Sequence, residues 1–511
     1  MSNQSNISSS TPISEIDTEE VLFEKTRLEE FNKSSDFNPY PHKFQTTITF
    51  EDYIKKYNDV EKGSRHHELK ESVAGRVLEV RNSGKKLAFY TVQSNGFQLQ
   101  YLADVREFNG TQEEFTTVNG RIHRGDIVGV HGFVGKSIKG ELSIYPTEIV
   151  LLTPCFKFLP KQHFGLTDYD TRMKNRHLDM IVNPTVVTTL KTRSKIISYI
   201  RKYLDDMDFT EVETPILSTN FGGAAAKPFT TYHNDMKSNM FMRIATELYL
   251  KKLVVGGLDR VYEIGKQFRN ESIDKSHLPE FTSIEFYMAY IDYHDLMVMV
   301  EELLSGLVLK IKGSYKLIYN EKELDFTPPF KRLDIIPELE KCTGKSFQFD
   351  DYTTDEFKTF LINLCVENKV VCGEPVTIPR LLDKLIGHFL ESQCLNPTFL
   401  INHPMVMSPL AKYHRNDKRL SERFELFANE MELSNAFTEL NDHIVQANAF
   451  RLQQKDKGLG DEEVPLPDES YIDALRFGLP PTGGCGIGID RLIMILTDSI
   501  SIREVVTFAA Q

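Results

Sequence analysis

Residues 260–290 read RVYEIGKQFRN (260–270), ESIDKSHLPE (271–280) and FTSIEFYMAY (281–290), and the fold hinges on them. Two runs with period-two alternation flank a polar loop, which predicts two strands joined as a hairpin. In the second run Phe281, Ser283, Glu285 and Tyr287 share one face, and Thr282, Ile284, Phe286 and Met288 the other. The second set is an ordinary core face. The first combines a ring, a carboxylate and a phenol, which packs poorly but suits a polar ligand. The first strand ends in Phe268-Arg269-Asn270-Glu271, with Arg269 and Glu271 on one parity, and the loop adds Lys275 and His277. A half-solvated hairpin is the plainer alternative. An arginine fork beside a basic loop instead suits a phosphate.

Working outward, the 511-residue chain is too long for one core, so two or more domains are expected. At 41% hydrophobic and 26% charged residues it reads as a globular protein. No apolar run approaches a bilayer span, so no membrane association is expected. The Ser-rich start carries Glu15, Asp17, Glu19 and Glu20 before its first basic residue, Lys25, unlike a signal or transit peptide. Six scattered cysteines without a CxxC pair read as reduced thiols, and the expected location is cytoplasmic. A formal charge of −13 argues against indiscriminate nucleic-acid binding, while allowing a localised basic path.

Residues 1–65 read as an appendage, disordered at its tip and then helical near 19–31 and 50–57. Residues 66–155 hold five short alternating strands with Gly- and Lys-bearing turns, as in a small closed barrel that binds oligonucleotides. In its first strand Val73, Gly75, Val77 and Glu79 are expected on one side. Arg76, Arg81, Phe89, Gln100 and Glu141 are candidates for an outward surface that stacks on unpaired bases. The third region, 156–511, opens with a linker at 154–170. A helix then starts at Asn183-Pro184 with a stripe from Val186 to Leu204. The strand after it is halted by Pro215, which predicts an edge or an interface. Residues 331–397 read as an insertion with two helices. Strands resume at 398–405 and at 423–441, the latter placing Asn435, Phe437 and Glu439 on one face. Glu425 and Glu432 lie nearby, joined by a turn the sequence leaves open. Near the end, Gly484, Gly486 and Gly488 lead into Ile489-Asp490-Arg491. With no preceding strand–helix–strand unit, this is not a dinucleotide motif. The glycines are better read as a close backbone approach to a flat ligand.

Glu213-Thr-Pro215, Phe268-Arg269-Asn270-Glu271 and Gly486-Ile-Gly488-Ile-Asp490-Arg491 resemble, in order, the three signature motifs of the class II aminoacyl-tRNA synthetases. With an N-terminal barrel the chain resembles the aspartyl/asparaginyl/lysyl subgroup. GGAAAKPF, RFELF, NAFTELND and GLPPTGGCGIGIDR make it similar to the lysyl-tRNA synthetase family from about Val73 to Phe508. The resemblance implies an α+β multidomain fold, with an OB-fold β-barrel ahead of an antiparallel sheet flanked by helices. It also implies a homodimer through the first motif, and it leaves room for membership of a multi-synthetase complex. The implied reaction joins lysine and ATP into lysyl-adenylate and passes the acyl group to the 3′ end of tRNA(Lys), with diadenosine tetraphosphate synthesis as a side activity.

The resemblance also implies roles. Arg269 would grip the α-phosphate and the substrate carboxylate, with Arg491 and His277 on the outer phosphates. Phe281 and Arg491 would sandwich the adenine, with Glu271 reading its amino group. Asn270, Leu278, Glu432, Leu433, Gly488, Ile489 and Asp490 complete the ATP site. Glu425 and Glu432 would hold Mg2+. Gly223 and Glu247 would hold the α-amino group. Glu439 and Tyr287, with Glu285, would surround the ε-ammonium, and Asn435 and Phe437 line that side. Arg81, Phe89, Gln100 and Glu141 would read the anticodon, with Phe89 stacking on the central uridine. Arg76 reads as structural. The chain departs from the family in having Thr246 for a proline, His177 for a tyrosine, an ending of Phe508-Ala-Ala-Gln511 without the usual proline, and no evident Lys-rich N-terminal helix.

Three rivals remain at this point. An aspartate or asparagine enzyme would need Arg or Lys where the acidic side chains stand. A lysine transferase acting on proteins would typically lack the barrel. A binding protein on the same fold should have lost Arg269, Arg491 or the metal carboxylates.

Overall fold

The structure, a computed structural model, describes residues 15–32, 37–160 and 166–509. The Ser-rich tip, linker positions 161–165 and the last two residues lie outside these. The chain forms two compact units, Met1–Thr188 and Thr189–Gln511.

In the first unit the strands Arg65–Asn82, Leu87–Ser94, Phe97–Asp104, Ile127–Lys136 and Leu142–Thr153 close into a barrel in which the fifth strand lies between the third and fourth. Its interior is filled by Val73, Val77, Val92, Tyr101, Val130 and their neighbours. One register shift corrects the simple alternation of the first strand. A bulge between Val77 and Glu79 turns Val80 inward and leaves Glu79 outside, 3.7 Å from Arg81. Helix Glu15–Asn32 docks on this barrel through Arg27, whose guanidinium pairs with Asp126 through two 2.9 Å hydrogen bonds. Arg27 is 1% exposed and Asp126 0%, so each charge depends on the other.

The second unit is built on an eight-stranded sheet in the order Lys331–Asp334, Thr398–Ile401, Arg423–Ala428, Met431–Thr438, Thr482–Gly488, Glu280–Ala289, Arg260–Phe268 and Thr210–Glu211. The inner six strands run antiparallel, and the two edge strands join in parallel. The edge position of Thr210–Glu211, just ahead of Pro215, agrees with the proline. Ile284 and Phe286 on the back of the sheet pack with Ile196, Ile200 and Leu204 and with helix Tyr293–Lys312. The opposite face is left for the site.

The insertion has three helices rather than two: Ile335–Thr343, Asp355–Glu367 and Ile378–Phe389 enclose a core of their own. Pro337 sits in the first turn of the extra helix, where its missing N–H breaks no intrahelical bond. Residues Lys331–Asp334 belong to the sheet instead.

Candidate active site

The free face of the sheet forms one wall of a cavity of about 520 Å3. Phe281, Ser283, Glu285 and Tyr287 line it from strand Glu280–Ala289, with Gly484, Gly486 and Gly488 from the neighbouring strand. Tyr287 stands opposite Gly484 in the register, and a Cβ on Gly484 would collide with the Tyr287 ring and the Glu439 carboxylate. Glycine there is a condition of the pocket.

On the next strand pair, Asn429 and Glu430 both have positive φ, 49° and 62°, which makes the two-residue turn that the sequence left open. Leu433 is an extra residue in the register, where Leu426 faces Ser434 but Phe427 faces Glu432. That bulge rotates Leu433 into the core and brings Glu432 round to the side of Asn435 and Phe437. Glu425 and Glu432 consequently both line the cavity.

Two electrostatic zones result. At one end Glu247, Tyr287 and Glu439 are buried together, with the half-buried Glu285 among them. Burial pushes the Glu285 carboxyl up to about 7, with the charge of Glu247 adding to it. Glu285 accepts hydrogen bonds from the Tyr287 hydroxyl and the Thr246 N–H, each at 3.2 Å. Burial also raises Glu247 and Glu439, against the pull of Lys251. Lys251 lies between them, 2.6 Å from Glu247 and 2.7 Å from Glu439. The sequence reading missed this lysine, although its i,i+4 spacing from Glu247 on an apolar helix was a signal.

At the other end Arg269 lies over the Phe281 ring at 5.1 Å and donates Nε to the Ile244 carbonyl at 3.4 Å. Arg491 donates to the Glu432 carbonyl at 2.9 Å and lies 2.7 Å from His277 Nε2. His277 is held in turn by Asp274, 2.9 Å from its Nδ1.

Burial alone would raise the Glu425 carboxyl, but Arg423 and His403 outweigh it and bring it down to about 2. Arg423 on the cavity wall and His403 buried behind Glu425, 3.2 Å from it, thus escaped the sequence reading. Glu391 is pushed up to about 7 by burial and by the nearby charge of Glu425, Asp383 and Glu432, a mark of the negative field there. Among the described residues no cluster of three metal-ligand side chains occurs. Two carboxylates, Glu425 and Glu432, on one wall fit an ion such as Mg2+, which keeps waters and takes phosphate oxygens.

The cavity wall thus brings together Gly223, Glu247, Arg269, Glu271, His277 and Leu278, together with Phe281, Glu285, Tyr287, Glu425, Glu432 and Leu433, and with Asn435, Phe437, Gly488, Asp490 and Arg491. Glu439 sits just behind it at Gly484. Asn270 and Ile489 do not line it. The Asn270 N–H donates to the Lys227 carbonyl, and the Ile489 side chain lies in the core. Asp490 reaches the wall with both oxygens engaged, one by Arg193 and the other by the Thr282 N–H at 2.7 Å. It braces the strand that carries Phe281.

On the barrel, Arg81 pairs with Phe89 and Gln100 with Thr91 in adjacent registers, so all three face outward. Glu141 joins them by accepting from the Gln100 amide, whose oxygen accepts from Ser143 at 2.8 Å. Phe89 packs against the buried cluster of Leu102, Phe133 and Tyr145. Arg76 instead donates to the Gly125 carbonyl at 2.7 Å, a structural contact.

Residues 168–511 match the family model described as tRNA synthetases class II (D, K and N), and residues 71–152 match OB-fold nucleic acid binding domain. The chain is 46% identical over 493 residues to a lysine--tRNA ligase, cla4, of Cladosporium cladosporioides, covering 94% of this chain and 82% of that one. It is 44% identical to a probable cytoplasmic lysine--tRNA ligase of Encephalitozoon cuniculi, over 97% of both chains. To a lysine--tRNA ligase of Thermotoga maritima it is 41% identical, over 95% of both.

Proposed function

Since the chain belongs to the class II tRNA synthetases of the aspartate, lysine and asparagine group, and within them to the lysine--tRNA ligases, we propose that it activates lysine with ATP and transfers it to the 3′ end of tRNA(Lys). The observation that carries the choice of amino acid is the buried acidic end of the cavity, Glu247, Glu285 and Glu439 around Tyr287. A lysine side chain brings the positive charge those groups lack. A carboxylate substrate would meet repulsion there.

In this reading no side-chain nucleophile is used. The lysine carboxylate attacks the α-phosphorus of ATP and pyrophosphate leaves; the 3′-terminal ribose hydroxyl of tRNA then attacks the adenylate carbonyl, taking the acyl group as the mixed anhydride breaks and AMP leaves. Arg269 bridges substrate carboxylate and α-phosphate and neutralises charge that grows in the transition state. Arg491 and His277 hold the outer phosphates. The adenine lies along Phe281 with Glu271 at its amino group, and Leu278, Leu433 and the backbone around Gly488 and Ile489 shape that slot. Gly223 and Glu247 take the α-amino group. Glu439, Tyr287 and Glu285 take the ε-ammonium, beside Asn435 and Phe437. Glu425 and Glu432 would hold Mg2+, which would supply charge neutralisation at the phosphates.

For the nucleic acid, Arg81, Phe89, Gln100 and Glu141 form the anticodon-reading face of the barrel, with a base stacked on Phe89. The working division is an appendage at 1–65, this barrel at 66–155 and the catalytic region at 156–511. A homodimer is supported by Ile216 and Leu217, each 45% exposed beside the edge strand. No helix among the described residues is long and apolar enough to cross a membrane. The name of the Encephalitozoon cuniculi relative supports a cytoplasmic location. Diadenosine tetraphosphate synthesis would use the same site, with a second ATP accepting the adenylate.

ATP–pyrophosphate exchange without tRNA, run separately with lysine, aspartate and asparagine, tests the proposal. Exchange with lysine alone is expected. Exchange with aspartate or asparagine would overturn the reading of the pocket, and no exchange at all would overturn the enzyme.

A further inference from the structure

The amino-acid end of the cavity holds a charged side chain that the roles above do not use. Lys251, on helix Glu247–Val255, is fully buried. The rings of Tyr471 and Phe437 lie over its ammonium at 5.2 and 5.9 Å. Burial works against its charge, but Glu247 and Glu439 outweigh burial and hold it protonated. Lys251 engages Glu439 through Oε2. The other oxygen, Oε1, is buried without a hydrogen-bond partner among the described residues, and it sits against Gly484 beside Tyr287.

We propose that Lys251 is a positioning residue that sets side-chain specificity: by occupying one oxygen of Glu439 it leaves that carboxylate a single buried acceptor, which suits a primary ammonium and not the two-pronged grip of a guanidinium. The inference rests on the reading of this cavity as the lysine site. An ammonium is a compact charge that one directed oxygen can meet, whereas a guanidinium fork is matched by both oxygens of a carboxylate. With Oε2 taken, a bound arginine would leave donors unpaired in a closed site, and such a site rejects that ligand strongly.

Charge matching points the same way. If all three carboxyls ionise against the burial that raises them, Glu247, Glu285 and Glu439 carry three negative charges and Lys251 one positive. What remains equals the two ammonium groups of lysine, and Arg269 is left to answer the substrate carboxylate. The other charged or titratable groups that act on this cluster are Arg423, Tyr287 and Tyr471.

The test uses the full-length protein with Lys251→Met, and with Lys251→Gln as a milder change that retains amide donors. Pyrophosphate exchange is measured with lysine and with arginine, alongside the KM for ATP and the thermal unfolding transition. For Lys251→Met the lysine KM should rise at least tenfold. The lysine-to-arginine ratio of kcat/KM should fall at least tenfold, with the ATP KM within twofold of wild type, and Lys251→Gln should lie between. An unchanged ratio would overturn the proposal. So would a parallel loss of lysine, arginine and ATP parameters, or failure of both variants to fold, since either makes Lys251 a stability element. Wild-type protein that exchanges no label with lysine would remove the lysine reading along with it. Wild-type exchange with an unchanged ratio in the variants removes the inference alone.

Discussion

The barrel face and the cavity, the two surfaces we propose for ligands, are both laid on a sheet, yet they are made in opposite ways. On the barrel, Arg81, Phe89 and Gln100 reach outward by plain strand alternation, and Phe89 packs against the side chains beneath. In the cavity the decisive groups are charges that depend on partners, one of them far away in sequence, as Glu439 depends on Lys251. An exposed surface can lose one side chain and keep its shape. A buried charge network cannot, because removing one member strands another.

That contrast can be broken at its strongest point with Arg269→Ala. We expect pyrophosphate exchange to fall by about 10³-fold or more, the scale for losing a charge aimed at a phosphoryl transition state, with the fold intact by circular dichroism. Retained exchange would mean that the cavity tolerates deletion as a surface does. Arg27→Met asks whether the barrel also contains a buried pair that behaves like the cavity. Asp126 would be left uncompensated, at a cost of about 3 kcal/mol. A calorimetric transition of this unit should drop in temperature, while exchange stays at the wild-type rate. Phe89→Ala removes a stacking platform worth about 1–3 kcal/mol per base, so tRNA charging should weaken by roughly 10- to 100-fold with exchange unaffected. A matching loss of exchange would show that the two surfaces are not separable.

The smallest effect is the pH response. Glu285 titrates near 7 and attracts an ammonium only when ionised. Below that value the lysine KM should rise by up to about tenfold per pH unit, since one unit corresponds to about 1.4 kcal/mol. Glu285→Gln should flatten this limb. The sign for stability is the reverse. A carboxyl raised from 4.5 holds its proton more tightly when folded, so its contribution is fully present below about 4.5 and lost as pH rises through about 7.

How much of this the sequence reveals follows the same divide. The hairpin at 260–290, the edge strand at Pro215 and the five barrel strands are legible, because hydrophobic period and proline are local signals. Glu79 is misassigned because a bulge leaves no mark in composition. Arg27 shows no reason to be buried until Asp126 appears 99 residues later. Of the cavity, the residues projecting from strands are found by parity and by family resemblance. Lys251, Arg423 and His403 are missed, since an ordinary basic residue on a helix or strand looks the same whether it faces solvent or a carboxylate.

The extra residue at Leu433 has a consequence for how this site would be discovered by mutation. What aims Glu432 at the phosphate end is a count of residues between two strands rather than the chemistry of any of them. Alanine scanning keeps the count and would pass over Leu433 as one more apolar position. Removing it altogether should turn Glu432 away from the cavity and silence the enzyme, although every charged residue assigned a role would still be present in the sequence. The protein stores part of its active site as spacing, and only insertions and deletions can read that information out.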